Sequence, residues 1–174
     1  FLDEADMSAD AIKAVVFPPA YGADIVVSCE KAKDPKNGSI YLKPTQFVLG
    51  IGCRRDTAFE NIDRAIRQSL LKLQIDISDI DMIASIDVKK DEPGIKEFCE
   101  RNRIEFVTYT ADELMAVQGE FSASQFVREH VGVDNVCERA AVLAGSRECN
   151  EAGELIYKKH KYDSVTVAAA RYPD

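Results

Sequence analysis

Phe47-Val48-Leu49-Gly50-Ile51-Gly52, running into Cys53-Arg54-Arg55-Asp56-Thr57, is the stretch that decides the fold. The first six residues carry no charge and are apolar at odd and even positions alike, which predicts a strand covered on both faces, as in a parallel sheet enclosed by helices. The period then changes. Phe59, Ile62, Ile66, Leu70 and Leu73 recur at spacings of three and four, a single apolar stripe on a helix. Thr57 and Glu60 stand three apart at the head of that stripe, the spacing of a capping box.

The same alternation continues downstream. Met82 to Val88 reads as a second strand, and Asp91 as the cap of a helix with Pro93 at its first position, running to about Asn102. Ile104 to Thr108 gives a third strand, and Thr110 with Glu113 a capping box for a helix ending near Val117. Ser122 with Gln125 predicts one more helix, carrying Phe126 and Val127, and Asn135 to Leu143 the last, with Gly132 and Gly145 as terminators on either side. Leu155 to Tyr157 and Ser164 to Ala170 read as a hairpin around Tyr162-Asp163 that adds antiparallel strands. The expected fold is α/β, a three-layer sandwich with a mostly parallel sheet and a C-terminal antiparallel hairpin.

Residues 1–45 differ from this pattern. A helical stretch at Ser8 to Val16, the breaker Pro18-Pro19, a short strand at Ala23 to Ser28 and the loop Lys33 to Gly38 predict the tail of a preceding domain plus a linker, with an added edge strand or a mobile arm as alternatives. Residues 46–174 form the expected α/β domain. The start at Phe1 predicts an excised piece of a longer soluble protein.

Composition narrows the function. A formal net charge of -8 argues against a nucleic-acid groove and against an anionic membrane surface, both of which need positive potential. No apolar run reaches the ~18 residues that span a bilayer. Five cysteines, never spaced C-x-x-C, suit a reducing, cytoplasmic compartment rather than a disulfide framework or a zinc site. With only His130 and His160 available, a protein-held metal is not expected.

In an open α/β sheet ligands bind beyond the carboxyl ends of the strands, and three segments fall at that edge. In the first, Gly50 and Gly52 permit close backbone approach, and Arg54 and Arg55 offer forked donors to a carboxylate; a plain tight turn with solvated arginines is the alternative. Cys53 beside two arginines is expected to have a lowered pKa and is a candidate nucleophile, although it lacks an identifiable histidine partner. In the second, Ser85, Asp87, Lys89 and Glu92 supply an acid or base and a cationic anchor, against the reading of a charged loop capped by Asp91. The third brings Ser122 and Ser124, with helix capping as the alternative role of Ser122.

Five ordered motifs carry a resemblance. Val48 to Arg55, Ala84 to Gly94, Ser122 to Val127, Gly132 to Ala141 and Val165 to Ala168 together resemble the C-terminal domain of cobalamin biosynthesis protein G, and its stand-alone relatives of the CobE type, over about residues 46 to 171. The resemblance implies cobalt-precorrin-5A hydrolysis, in which the ring-A δ-lactone is opened and a two-carbon fragment leaves as acetaldehyde. It implies a cobalt-corrinoid (tetrapyrrole) intermediate as partner, with cobalt arriving inside the substrate and no separate cofactor. It also implies a separate N-terminal domain, missing from this chain, and leaves a homodimer open. On this reading Asp87 or Glu92 is the base, Gly50 to Arg55 donate to the oxyanion, and Arg54, Arg55 and Lys89 hold peripheral carboxylates. A non-catalytic tetrapyrrole carrier is the alternative, and a nucleotide-binding domain a third reading, opposed by the absence of dinucleotide and P-loop patterns.

Overall fold

The computed structural model describes residues 25–27, 40–42, 47–124, 132–146 and 152–173. The expected helices at Ser8 to Val16 and around Phe126, and the loop Lys33 to Gly38, lie outside them. The chain divides into two units between Thr45 and Gln46. In the first, strands β1 (Ile25–Val27) and β2 (Ile40–Leu42) pair in parallel.

The second unit holds strands β3 (Phe47–Cys53), β4 (Ile80–Ile86), β5 (Glu105–Tyr109), β6 (Glu154–Tyr162) and β7 (Val165–Arg171), and helices α1 (Phe59–Leu73), α2 (Pro93–Asn102), α3 (Ala111–Ala116) and α4 (Val136–Gly145). Its sheet has the order β5-β4-β3-β7-β6, parallel across β5, β4 and β3, with β7 antiparallel to β3 and β6 antiparallel to β7. The mostly parallel sheet and the antiparallel C-terminal hairpin are those the sequence predicts.

Alternation along β3 assigns the two faces. Phe47, Leu49 and Ile51 pack with Ile62, Ile66 and Leu70 of α1 and with Ile95 and Phe98 of α2. Val48 points the other way, into a cluster with Met82, Ala84, Val136, Ala140 and Ala144, so α4 covers the opposite face and the sandwich has three layers. The hairpin joins the α1 side through hydroxyls: Tyr157 and Tyr162 lie 3.0 Å apart, and Ser69 of α1 lies 3.1 Å from Tyr162.

Two local expectations change. Thr57 and Glu60 do not form a capping box; Ala58 is the N-cap of α1 without a side-chain bond, and the Thr57 hydroxyl donates to the Arg54 carbonyl at 2.7 Å. Asp91 does not cap α2 either. Glu92 holds the N-cap position and turns its carboxylate back toward Thr57, while Pro93 takes the first helical position as expected. The Thr110–Glu113 capping box is present in full.

The tightest constraint lies at Gly50. A methyl group there would sit 1.7 Å from the Cys137 carbonyl oxygen and 2.9 Å from the Ala141 nitrogen, both of them backbone atoms of α4 that no rotamer change can move. At Gly52 the obstacle is the Thr166 hydroxyl, at 2.7 Å, which can rotate. Gly50→Ala is therefore expected to cost about 3 kcal/mol and to lower Tm by roughly 6–12 °C, and Gly52→Ala about 1 kcal/mol. Thermal denaturation of the two variants checks this, and equal losses would contradict the assignment.

Candidate functional site

The chain leaves β3 toward α1 on one face, while α4, reached later in the sequence, begins on the other. In open α/β sheets the ligand crevice lies where successive helices go to opposite faces, which assigns it here to the carboxyl end of β3. Two polar clusters flank it.

On the α1 and α2 side, Glu92 is buried, with 6% of its surface exposed, and both of its oxygens are engaged. One accepts the Thr57 backbone N–H at 3.0 Å and the other the Lys89 ammonium at 2.8 Å. This carboxylate fastens the β3 loop to the β4 loop. Gly94 completes the junction, since a methyl there would meet the Thr57 carbonyl oxygen at 2.3 Å. Asp87 sits half-buried in the 3-10 turn Asp87–Lys89, its side chain without a hydrogen-bond partner among the described residues. Arg54 and Arg55 are exposed and make no ion pair among them. The Arg54 amide donates to Ser164 at 3.0 Å and the Thr57 amide to Glu92. The amides of Arg55 and Asp56 make no hydrogen bond among the described residues, at a turn where Asp56 adopts a left-handed φ of 56°.

The α4 side is organised by Glu138, which is fully buried. It is the third residue of α4, behind the N-cap Asn135, whose side-chain oxygen accepts the Glu138 amide at 2.9 Å. One oxygen of Glu138 accepts the Ser122 hydroxyl at 2.9 Å and the Lys159 amide at 2.6 Å; the other accepts the Ser122 amide and the Asn135 side-chain amide, both at 2.7 Å. A buried carboxylate without partners costs several kcal/mol, and four donors offset that cost for the ionised form. The next residue, Arg139, spans Asp134 at 2.8 Å and the Val117 carbonyl at 2.8 Å, and covers the Phe121 ring. Segment 121–124 is thus fixed from two adjacent side chains of one helix.

The structure brings most of the predicted residues to this edge, but not all of them face a ligand. Gly50 and Gly52 are close-approach positions, yet what approaches is α4 and Thr166. Ser85 is fully buried and donates to the Ile51 carbonyl at 2.7 Å. Ser122 gives its hydroxyl to Glu138, and the Ser124 amide donates to Asp134 at 2.9 Å. Lys89 is paired with Glu92. For Cys53 the expected lowering of the pKa is reversed: burial pushes its thiol up to about 11, against the opposing pull of Lys89. Burial likewise pushes Cys137 up to about 12. Among the described residues no cluster of His, Cys, Asp or Glu is placed to hold a metal, and no helix is long and apolar enough to cross a membrane.

Glu138, Asn135 and Lys159 are not among the candidate site residues of the sequence, although Asn135 and Glu138 lie within the Gly132 to Ala141 motif. The spacing Asn135-x-x-Glu138, an N-cap followed by an acid at the third helical position, is a readable signal for the first two.

The sequence profile described as "Cobalamin synthesis G C-terminus" matches residues 47–170. The chain belongs to this family. The G C-terminus domain is similar to the cobalt-precorrin-5A hydrolase of Salmonella typhimurium, 34% identical over 126 residues, which cover 72% of this chain and 34% of that protein. It is also similar to the cobalt-precorrin-5A hydrolase of Priestia megaterium, 31% identical over 138 residues, covering 79% and 35% of the two chains. The chain thus spans about a third of the length of these curated relatives. Among crystal structures, that of CobE, a protein from the cobalamin (vitamin B12) biosynthetic pathway, superposes with a TM-score of 0.69 at 26% identity, covering 74% of this chain and 92% of CobE.

The thiol of this G C-terminus domain gives a direct test of the site's electrostatics. With a pKa near 11, alkylation of Cys53 by iodoacetamide, followed by peptide mass analysis, is expected to rise about tenfold per pH unit from pH 8 to 10 without levelling. A plateau below pH 9 would instead mark an activated thiolate.

Proposed function

We propose that this chain is the C-terminal part of a cobalt-precorrin-5A hydrolase acting in cobalamin biosynthesis, and that residues 1–45 are the tail of the domain preceding it. The reaction opens the ring-A lactone of a cobalt-corrinoid intermediate with release of acetaldehyde. The observation that carries the reading is the end of β3, where Arg54 and Arg55 are exposed and make no ion pair among the described residues, while the neighbouring strand β4 ends at Asp87 and the fully engaged Glu92 ties the two loops together.

Lactone opening needs a base to activate water and donors for the oxyanion that forms on the attacked carbonyl. Glu92 already accepts two hydrogen bonds and is sealed from solvent, so its role is to position the loop that carries Thr57, Arg55 and Arg54. Asp87 is the freer carboxylate and takes the proton of the attacking water. The amides of Arg55 and Asp56 face the oxyanion, and the two guanidinium groups hold peripheral carboxylates of the macrocycle. Cobalt belongs to the substrate, and the work is that of a soluble protein in the cytoplasm.

A second reading, a carrier domain that presents the corrinoid while another domain does the chemistry, is favoured by CobE, nearly all of whose chain corresponds to this domain alone. Turnover in the full-length protein separates the two. If the domain is catalytic, Asp87→Asn lowers kcat by about 10²–10⁴-fold and leaves corrinoid affinity within a few-fold. If it is a carrier, Arg54→Ala and Arg55→Ala weaken binding, and Asp87→Asn leaves kcat unchanged at saturating substrate.

A further inference from the structure

The register of the hairpin contains an irregularity with a chemical consequence. Tyr157 pairs with Ala169 and His160 with Val167, so two residues of β6, Lys158 and Lys159, oppose the single Ala168 of β7. This is a β-bulge, a device that re-aims side chains and is frequent next to functional sites. In a regular strand Lys159 would share a face with Tyr157 and point toward α1. Here the rings of Tyr157 and His160 stack on that face, their centroids 4.1 Å apart, and Lys159 is turned to the α4 side.

The backbone N–H that the bulge takes out of the ladder is received by Glu138 at 2.6 Å. The side chain of the same residue then reaches over segment 121–124, where its ammonium donates to the Ser122 carbonyl at 3.1 Å. That is its one acceptor among the described residues, so two of its three hydrogens remain available. A buried glutamate, a bulge and a serine thus hold one half-buried lysine on the α4 side of the sheet, opposite Ala168 and so level with Gly50 of β3, with its ammonium carried to segment 121–124 beside the first turn of α4. In a chain of net charge -8 this placement is a specific expense of structure on one cation.

We propose that Lys159 is a ligand-binding residue that takes a carboxylate of an anionic macrocycle from the α4 side, with Glu138 as its positioning residue. The proposal rests on the corrinoid reading of the crevice and adds the third cation. Two arginines beyond the end of β3 and a lysine on the α4 side, separated across the sheet, suit a ligand whose carboxylates project around a ring rather than a linear anion held at one end.

The test is a visible-absorbance titration of this chain with a cobalt corrinoid bearing free carboxylate side chains, repeated with its methyl ester, for the parent and for Lys159→Met and Lys159→Arg. Neither substitution alters the backbone N–H that Glu138 accepts, and circular dichroism checks the fold. Lys159→Met is expected to bind the free acid at least about tenfold more weakly and the ester unchanged, with Lys159→Arg within about threefold of the parent. If Lys159→Met binds the acid as the parent does, or loses acid and ester alike, the role of Lys159 is overturned while the crevice reading stands. If the parent binds neither compound, both fall together.

Discussion

Helix α4 lies so close to β3 that Gly50 cannot carry a side chain, and much of the site follows from that contact. Because the backbone of α4 rests on the strand at Cys137 and Ala141, its first turn is held against the sheet near the carboxyl end of β3. This puts Glu138 between segment 121–124 and the β6 bulge, within reach of both. The tight packing of small residues (Ala140, Ala141, Ala144 on the helix; Ala168, Ala170 on β7) serves the same close approach. Larger residues would raise the helix off the sheet and separate Glu138 from its four donors.

The two walls of the crevice use one device twice. On each side a buried glutamate accepts a backbone N–H from a segment distant in sequence: Glu92 from Thr57, and Glu138 from both Ser122 and Lys159. A charged acceptor makes such bonds about twice as strong as neutral ones, and burial keeps water from competing for them. The glutamates hold loops, and their neighbours in space (Arg54, Arg55 and Asp87 on one wall, Lys159 on the other) remain available for a ligand. The inner residues are saturated so that the outer ones can be unsaturated.

The fold was legible wherever hydrophobic period and turn chemistry act locally. The unbroken apolar run of β3, the three-and-four stripe of α1, Pro93 at the head of α2 and the Thr110–Glu113 box all stand where the sequence places them. The failures are long-range. Thr57 has the spacing of a capping box with Glu60, but Glu92, 35 residues away, takes its amide. Cys53 stands beside two arginines in sequence, yet those residues are exposed while the cysteine is half-buried, and desolvation decides its pKa. The placement of Arg54, Arg55, Asp87 and Glu92 just beyond β3 and β4 was legible because strand ends are readable. Lys159 was not, since nothing in Tyr157-Lys158-Lys159-His160 announces that the strand bulges there.

The Glu138 carboxylate holds segment 121–124 and the β6 bulge against the first turn of α4. Amide hydrogen exchange, measured residue by residue by NMR in the parent and in Glu138→Gln, tests it most directly. The amides of Ser122 and Lys159 should lose protection together, by about 10- to 100-fold for loss of hydrogen bonds to a charged acceptor, while the Thr57 amide, held by Glu92, keeps its own. Unchanged protection at Ser122 and Lys159 in a folded variant would show that Glu138 does not hold these two segments.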